Sequence, residues 1–277
     1  KECIALVSQP NPFRDPMRVL VFGAHPDDAE FHAGGLLTLH ADAGSTIRLV
    51  SVTDGSVGHQ SLTRPALAAR RRDEAARAAA RLGAEVDVWD TPDGELTPTL
   101  QLRRKVIEQI RQFRPDLVLT HRIHDYHPDH RATGELVRDA CYMVRVPGIV
   151  PHAPALRTDP VVASMVDFFA RPQPFQADVV VDIGAVFERY VALLDCHASQ
   201  VYEWLPYIEQ IPAPVPPADD AAARIAWLTN FVRRRPRAVA KRWGSGEQYA
   251  EAFEISEYGR RPTDAERDAL FLKHSTR

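Results

Sequence analysis

The fold of this chain is decided by the stretch RVLVFGAHPDDAE, which spans residues 18–30. Its first half is a short apolar run that ends at Gly23, and such a run is typical of a buried β-strand. Its second half places His25, Asp27 and Asp28 directly after the predicted strand. Ligands of open parallel α/β sheets bind at the carboxyl ends of the strands. Because a buried strand has no need of three ionisable groups at its tip, the stretch indicates a hydrolytic metal site.

A second polar cluster follows another apolar run further along the chain. The run DLVLT at residues 116–120 leads into HRIHDYHPDH at residues 121–130, and a helical stretch over residues 131–143 comes next. Two strand tips of one parallel sheet can face each other across a crevice. We therefore expect side chains of the two clusters to converge on one ion, namely His25, Asp28 and His130.

Strands alternate with helices through the first half of the chain. The strands are predicted at residues 18–24, 46–52, 86–89 and 116–121, and the helices at residues 31–43, 65–82, 99–112 and 131–143. This alternation predicts an α/β fold with a Rossmann-like, doubly wound, mainly parallel sheet and helices on both faces. No G-x-G-x-x-G follows the first strand, so a dinucleotide-binding site lacks its fingerprint.

The second half of the chain is less regular. A proline-containing loop is expected over residues 144–160, strands over residues 161–169 and 178–183, and helices over residues 184–199 and about 218–242. The segment PAPVPP at residues 212–217 is typical of a stiff linker. We expect a core over residues 1–210, whose first 17 residues form an arm. Residues 211–277 are then an extension that packs on the core or on a neighbouring subunit of a homo-oligomer.

Composition limits the class of protein. The chain has 277 residues and 45% hydrophobic content, which is enough to bury a sizeable core. Its formal charge of −3 gives no indication of nucleic-acid binding. Three distant cysteines form no disulfide framework, so a reducing cytoplasm is expected. No apolar run approaches the roughly 20 residues that span a bilayer, and the sequence shows no signal-peptide pattern.

The residue types of the two clusters match the needs of metal-assisted hydrolysis. Catalytic zinc commonly takes three ligands from histidine and carboxylate and leaves a position for water. The reaction also needs a base beside the water and a donor for the developing oxyanion. The adjacent side chains of Asp27 and Asp28 diverge, so one of them can bind the metal while the other faces the water.

Two motifs carry a resemblance to a known family. His25-Pro26-Asp27-Asp28-x-Glu30 and His127-Pro128-Asp129-His130 resemble the paired motifs of the PIG-L/LmbE-like family of zinc-dependent N-deacetylases. The resemblance covers roughly residues 18–205. It implies Zn²⁺ as the cofactor, and the ligand types also suit other divalent transition metals. The ligands that it implies are His25, Asp28 and His130.

The resemblance also implies roles for three other motif residues. Asp27 would be the general base and later the acid that protonates the leaving amine. His127 would stabilise the tetrahedral oxyanion together with the metal, and Asp129 would orient His127. His121 and His124 lie close enough to join the site, although we interpret each as a loop residue. We expect Tyr126 to point away from the site.

The substrate-binding residues that the resemblance implies also fit plainer structural roles. Arg71 matches a substrate-binding arginine, although the sequence leaves open which arginine of residues 70–72 faces the substrate. Asp93 matches an acidic position that contacts sugar hydroxyls, and it equally suits a turn. Asp54, from its place in the chain rather than from the resemblance, could line the crevice or cap a turn. His197 matches a residue near the site and equally suits a core histidine with a satisfied hydrogen bond.

The sequence thus predicts a zinc-dependent hydrolase that removes an acetyl group from an N-acetylated amino sugar or glycoconjugate, a small-molecule substrate. Metal-activated water with an aspartate base would do the chemistry. Two alternatives stay open. One is an amide hydrolase that acts on a non-sugar natural product or a thiol conjugate, and the other is a non-catalytic binding module on the same scaffold.

Overall fold

Strands of the described part of the chain form one seven-stranded sheet in the order β3-β2-β1-β4-β5-β7-β6. The computed structural model describes residues 16–272, so all but the last two residues of the expected arm lie outside the described part. The strands are β1 (Arg18–Gly23), β2 (Thr46–Ser51), β3 (Glu85–Val88), β4 (Leu117–Thr120), β5 (Val161–Met165), β6 (Val179–Asp182) and β7 (Ala250–Ile255). Strands β1 to β5 pair in parallel, and β7 is antiparallel to both of its neighbours. The expected α/β fold with a mainly parallel sheet is confirmed.

Helices cover both faces of the sheet. They are α1 (Asp28–Asp42), α2 (Arg64–Leu82), α3 (Leu100–Phe113), α4 (Pro128–Ala140), α5 (Phe187–Asp195), α6 (Leu205–Ile208), α7 (Ala221–Val232), α8 (Arg234–Trp243) and α9 (Asp264–Leu270). A π-helical turn, Ser199–Trp204, precedes α6. Among residues 16–272, no helix is both long and apolar enough to cross a membrane.

Strand β1 is apolar along its length because helices cover both of its faces. Val19 and Val21 pack into a core shared with α1 and α5, whereas Leu20 and Phe22 pack into a second core with α3 and α4. This two-sided burial explains the continuous apolar run that the sequence shows from Val19 to Phe22.

The carboxyl ends of β1 and β4 lie side by side in the middle of the sheet. From β1 the chain moves outward through β2 and β3, and then returns to the other side of β1 with β4. This reversal of direction leaves a crevice between the two strand ends, which is where ligands bind in such sheets. Both polar clusters of the sequence follow these two strands.

The extension differs from its expected form. The helix expected over about 218–242 is two helices, α7 and α8, which meet at Arg233. A strand that the sequence did not predict, β7, lies between β5 and β6. Residues 250–255 are therefore part of the same sheet as the strands of the core.

Candidate active site

The end of β1 places the first cluster directly in the crevice. Helix α1 begins at Asp28, three residues before its expected start, so Asp28 lies in the first turn and is buried. A Cβ atom at Gly23 would lie 2.9 Å from the Cβ of Asp28. Glycine at the strand end thus lets Asp28 approach closely. The Oδ2 atom of Asp28 accepts a hydrogen bond from the backbone N–H of His25 at 2.8 Å.

Four imidazoles surround the Asp28 carboxylate, and the most distant is that of His32, whose Nε2 lies 3.9 Å from Oδ1. The Oδ2 atom lies 3.4 Å from Nδ1 of His25 and 3.1 Å from Nε2 of His121, and the Oδ1 atom lies 3.3 Å from Nε2 of His130. The structure therefore brings the three expected ligands together. His121, which the sequence interpretation treated as a loop residue, is a buried member of the same cluster.

Outer carboxylates face the other nitrogen atoms of these rings. Nε2 of His25 lies 3.1 Å from Oδ1 of Asp93 and 3.4 Å from Oδ2 of Asp129. Nδ1 of His130 lies 3.0 Å from Oδ1 of Asp125. Histidines that bind metals characteristically direct their second nitrogen at a carboxylate in this way. The sequence interpretation did not name Asp125 as a site residue. The feature that could have indicated it is its position two residues before His127.

The acidic surroundings shift the protonation of the cluster. Burial lowers the pKa of His130, but Asp28 and Asp125 outweigh burial and raise that pKa to about 9. Burial likewise opposes protonation of His25, whose pKa the carboxylates of Asp129, Asp28 and Asp93 hold well above its usual value. The pocket thus favours positive charge at the two imidazoles.

The donor set fits a divalent metal ion. Within the described residues, three groups of side chains have their donor atoms within 4.8 Å of one another. The groups are His25 with His127 and His130, Asp28 with His121 and His130, and His25 with Asp93 and Asp129. The expected set of His25, Asp28 and His130 is not one of them, although His25 and Asp28 each share a group with His130. Buried imidazole nitrogens and carboxylate oxygens are the ligands that zinc and related ions prefer.

Asp27 is held beside the cluster in a strained conformation. Its φ angle is +133°, which is costly for a residue with a side chain, and its carboxylate does not cap helix α1. The Oδ1 atom accepts a hydrogen bond from Nη2 of Arg71 at 3.0 Å. Burial raises the pKa of Asp27 to about 6, with Arg71 opposing the rise and Asp28 adding to it. A carboxylate with a pKa near neutrality can both take and give a proton.

Arg71 is the arginine of residues 70–72 that faces the cavity. Its guanidinium donates to the backbone carbonyls of Pro26 at 2.6 Å and Gly55 at 3.1 Å, besides the bond to Asp27. Arg70 instead pairs with Glu203 and Glu74, and Arg72 with Asp90. Arg71 was expected to bind substrate, and its observed contacts make it a residue that positions Asp27.

His127 and Asp129 lie at the start of α4. The backbone N–H of Asp129 donates to Nδ1 of His127 at 3.2 Å, so a neutral imidazole carries its proton on Nε2. Burial, aided by His25 and His130, lowers the pKa of His127 to about 4. The carboxylate of Asp129 accepts hydrogen bonds from the N–H groups of Gly94 and Leu96. Asp129 therefore orients His127 through its backbone N–H, and its side chain faces His25 instead.

The other expected substrate-binding residues have structural contacts. Oδ1 of Asp54 accepts hydrogen bonds from the N–H groups of Ser56 and Asp93, so Asp54 stabilises a turn and does not line the cavity. His197 is fully buried with Nε2 3.3 Å from Oε1 of Glu30. A substrate-binding role for these two residues stays a prediction, and the contacts described here are structural ones.

Asp93 and Tyr126 also line the cavity. Oδ2 of Asp93 also accepts a hydrogen bond from the N–H of Val57. Tyr126 was expected to point away. Its ring instead lies edge-on to the rings of His127 and His130, with centroids 5.7 and 5.3 Å apart.

A cavity of about 850 Å³ opens beside the cluster. The polar side chains described above form one side of it, and residues of the π-helical turn, α6, α7 and α8 form the other. Its volume falls in the range of roughly 300–1,000 Å³ that is usual for small-molecule sites. The arrangement therefore places a bound small molecule against the histidines and Asp27.

Comparisons with known proteins point to one family. A family model described as PIG-L, GlcNAc-PI de-N-acetylase, matches residues 20–141. The diacetylchitobiose deacetylase of Thermococcus kodakarensis is 31% identical over 211 residues, which cover 72% of this chain and 78% of that protein. The 4-oxalmesaconate hydratase of Pseudomonas putida is 29% identical over 209 residues, which cover 71% of this chain and 79% of that protein.

Solved structures agree with the sequence matches. The N,N′-diacetylchitobiose deacetylase from Pyrococcus horikoshii superposes with a TM-score of 0.71 at 25% identity. The superposition covers 90% of this chain and 87% of that chain. The match extends well beyond the first half of the chain, so it includes elements of the extension.

Proposed function

The chain belongs to the PIG-L family, and within this family of enzymes we propose that it is a metal-dependent deacetylase of an N-acetylated amino sugar or glycoconjugate. One observation carries the proposal. The buried carboxylate of Asp28 is shared by His25 and His130, and Asp27 lies beside it with a pKa near neutrality. These are the parts that amide hydrolysis by an activated water requires.

A single divalent ion would be held by His25, Asp28 and His130. When bound, such an ion lowers the pKa of a water molecule and polarises an amide carbonyl. We propose Zn²⁺ in this position because the ligand types suit it. Asp93, Asp129 and Asp125 would keep the two imidazole rings in their binding orientation.

Asp27 would move the proton. Its carboxylate takes a proton from the attacking water and then gives it to the nitrogen of the leaving amine. Arg71 fixes one oxygen of the carboxylate, which leaves Oδ2 for this work. The strained backbone at Asp27 supports a functional rather than a capping role, because the strain brings helix α1 no capping hydrogen bond.

His127 would donate to the oxyanion. With Nδ1 occupied by the N–H of Asp129 and a lowered pKa, the ring is a neutral donor through Nε2. A donor placed in advance stabilises the charge that develops on the carbonyl oxygen.

The compartment is a further part of the proposal. Within the described residues, Cys141 and Cys196 are free thiols, and both are at least partly buried. Free thiols are the usual state of cysteine in a reducing compartment. This supports the cytoplasm as the site of action.

Hydration of a carbon–carbon double bond is the second candidate function. One relative, 29% identical, is a 4-oxalmesaconate hydratase. Arg235 lines the same cavity, and its Nη2 atom donates to Nδ1 of His32 and to the carbonyl of Val166. A guanidinium in this place suits a substrate carboxylate.

The test is an assay of acetate and free-amine release by the metal-loaded protein. The substrates are N-acetylglucosamine, N,N′-diacetylchitobiose, and N-acetylglucosaminyl conjugates of inositol and malate. The variant His25→Ala is the inactive control. A parallel assay follows the loss of absorbance of 4-oxalmesaconate. Metal-dependent acetate release supports the deacetylase, whereas hydration without any acetate release would overturn it in favour of the second candidate.

A further inference from the structure

His32 contributes the fourth imidazole at the Asp28 carboxylate. It lies one turn after Asp28 in α1, and its Nε2 atom is 3.9 Å from Oδ1 of Asp28. Its ring lies edge-on to the rings of His121 and His130, with centroids 5.5 and 6.1 Å apart. His32 is therefore packed against both histidines that the segment after β4 contributes to the cluster.

Arg235 of α8 fixes the tautomer of His32. Nη2 of Arg235 lies 2.7 Å from Nδ1 of His32 and also donates to the backbone carbonyl of Val166. A guanidinium has donors only, so Nδ1 accepts and the neutral ring carries its proton on Nε2. The N–H of His32 is thus on the nitrogen that lies nearer to Asp28.

Arg235 has no carboxylate partner to explain its position. Helix α8 is anchored by Val239 and Ala240, which are buried together with residues of β7. Within the described residues, Arg235 forms no ion pair with a carboxylate, and its hydrogen bonds are those to His32 and Val166. A cation that is partly withdrawn from water without a counter-ion is costly. The contact with His32 is what this costly position provides.

The N–H of His32 acts on one side of the Asp28 carboxylate. On the other side, Oδ2 of Asp28 accepts a hydrogen bond from the backbone N–H of His25. A distance of 3.9 Å is too long for a hydrogen bond, but the N–H dipole still attracts the ionised carboxylate. Groups that orient the ligands of a metal in this way commonly change metal affinity by about 10–100-fold.

We propose that Arg235 is a positioning residue of the metal site, which acts through His32 to hold the Asp28 carboxylate in its metal-binding orientation. This inference rests on the proposed metal site of His25, Asp28 and His130. Arg235 and His32 are 203 residues apart in the chain. The extension therefore contributes to the metal site itself, besides lining the cavity.

The experiment measures the dissociation constant of Zn²⁺ by competition with a chromophoric chelator. Arg235→Met removes the donor and keeps much of the length of the side chain. We expect this variant to raise the dissociation constant by about tenfold or more. Arg237→Met is the matched control and should leave the constant unchanged, because Arg237 is exposed on the same helix and does not line the cavity.

Variants of His32 test whether Arg235 acts through the imidazole. The amide nitrogen of a glutamine can take the place of Nε2 and donate to Asp28, whereas the shorter asparagine reaches only the place of Nδ1. His32→Asn should therefore weaken Zn²⁺ binding more than His32→Gln. When Arg235→Met is combined with His32→Asn, the two losses of affinity should not multiply. An independent, purely structural role of Arg235 predicts losses that do multiply.

The outcomes separate this inference from the proposed function. Unchanged Zn²⁺ affinity in Arg235→Met, or losses that multiply, would overturn the role of Arg235 and leave the deacetylase standing. If urea denaturation shows that Arg235→Met is not folded, Arg235→Lys, which lacks the forked guanidinium, replaces it in the same comparison. The expected changes in Zn²⁺ affinity without any amide hydrolysis would support the inference while the deacetylase fails. A wild type that binds no Zn²⁺ would overturn both.

Discussion

Asp28 is the residue on which the site depends. Its two oxygen atoms lie within 3.4 Å of three imidazoles, which come from the end of β1 and from the segment after β4. These imidazoles, together with Asp28's own burial, set the charge of the cluster. Burial disfavours the charged carboxylate, but His130 and His121 outweigh burial and hold the pKa of Asp28 well below its usual value. One ionised carboxylate thus joins the two halves of the site.

Asp27 gives the first prediction at the scale of the residue. Asp27→Asn keeps the shape of the side chain and removes its ability to take a proton. We expect kcat to fall by about 10²–10⁴-fold, with the bound metal retained. Steady-state acetate release, with metal content measured on the same sample, checks this. Asp73→Asn, an exposed position on α2, is the control. Near-normal turnover of Asp27→Asn would refute the assignment of the base.

His40 gives a prediction about pH and stability. The ring is fully buried, with Nε2 3.0 Å from the carbonyl of Leu270 and Nδ1 2.9 Å from Oγ of Ser45. Burial lowers the pKa of His40 from 6.5 to about 4, despite the bond to Leu270. Between these pH values the unfolded chain binds one more proton than the folded chain. The free energy of unfolding therefore falls as the pH falls from 6.5 towards 4.

The size of this change in unfolding free energy follows from how far the pKa of His40 is lowered. The loss of stability attributable to His40 should reach about 3 kcal/mol at the bottom of the window. Urea denaturation of the wild type and of His40→Gln over this pH range measures it. The variant should show a shallower dependence of unfolding free energy on pH. Identical slopes for the two proteins would show that His40 is not the group responsible.

At this scale the sequence predicted the residues that belong to the two motifs. His25, Asp28 and His130 were named from type and spacing, and the structure brings them together. Asp54 and His197 were named as substrate-binding residues, whereas the contacts observed for them are those of a turn and of a buried histidine beside Glu30. No spacing in the sequence reveals which nearby groups meet in space. For that reason the sequence did not decide whether His121, which lies in the loop after β4, belongs to the cluster.

At the scale of the element, the segment after α4 shows how a loop can be ordered by one side chain. The sequence predicted a proline-containing loop over residues 144–160, and the structure has a short 3-10 turn at Met143–Arg145 followed by irregular chain. Arg111 of α3 is 1% exposed, and its guanidinium lies among backbone carbonyls of this segment. It donates to the carbonyls of Met143, Val144, Val146, Ile149, Val150 and Ala153.

Arg111→Ala should destabilise the protein strongly. The substitution leaves several buried carbonyls without a donor, so we expect a loss of at least about 3 kcal/mol in the free energy of unfolding. Arg104→Ala, at an exposed position of the same helix, should change it by no more than about 0.5 kcal/mol. Urea denaturation of both variants checks the difference. Equal stabilities would mean that the carbonyls find other partners.

Elements of the first half were predictable because their apolar periodicity is undisturbed. The extension was not, and β7 shows why. Its sequence, AEAFEI, contains two glutamates, whereas a strand in the interior of a sheet is usually apolar. Glu251 is nevertheless buried, and its carboxylate accepts hydrogen bonds from the N–H groups of Gly35 and Leu36 in α1. Only a partner helix makes that position suitable for a glutamate.

At the scale of the whole molecule, the extension completes both the sheet and the cavity. β7 lies between β5 and β6, and Phe253 of β7 is fully buried in the core shared with α1 and α5. Residues of α6, α7 and α8 line the cavity. The fold class and the family were predictable from the sequence. The contribution of the extension to the sheet and to the cavity was not, because it depends on contacts between residues far apart in the chain.

Removal of the chain from residue 244 onward should therefore abolish cooperative unfolding. Without β7, strand β6 loses its neighbour and the core loses Phe253. Circular dichroism during thermal denaturation, together with size-exclusion chromatography, measures the outcome. A truncated protein that unfolds cooperatively near the wild-type temperature would show that the extension is a separable unit.

The central claim is that one metal ion in the cluster of His25, Asp28 and His130 is required for deacetylation. The most direct test titrates Zn²⁺ into metal-free protein and measures bound metal and acetate release on the same samples. We predict that both rise together and level off at one ion per chain, while Asp27→Asn binds the ion but releases acetate about 10²–10⁴-fold more slowly. Full acetate release from the metal-free protein, or release that rises without bound metal, would contradict the account.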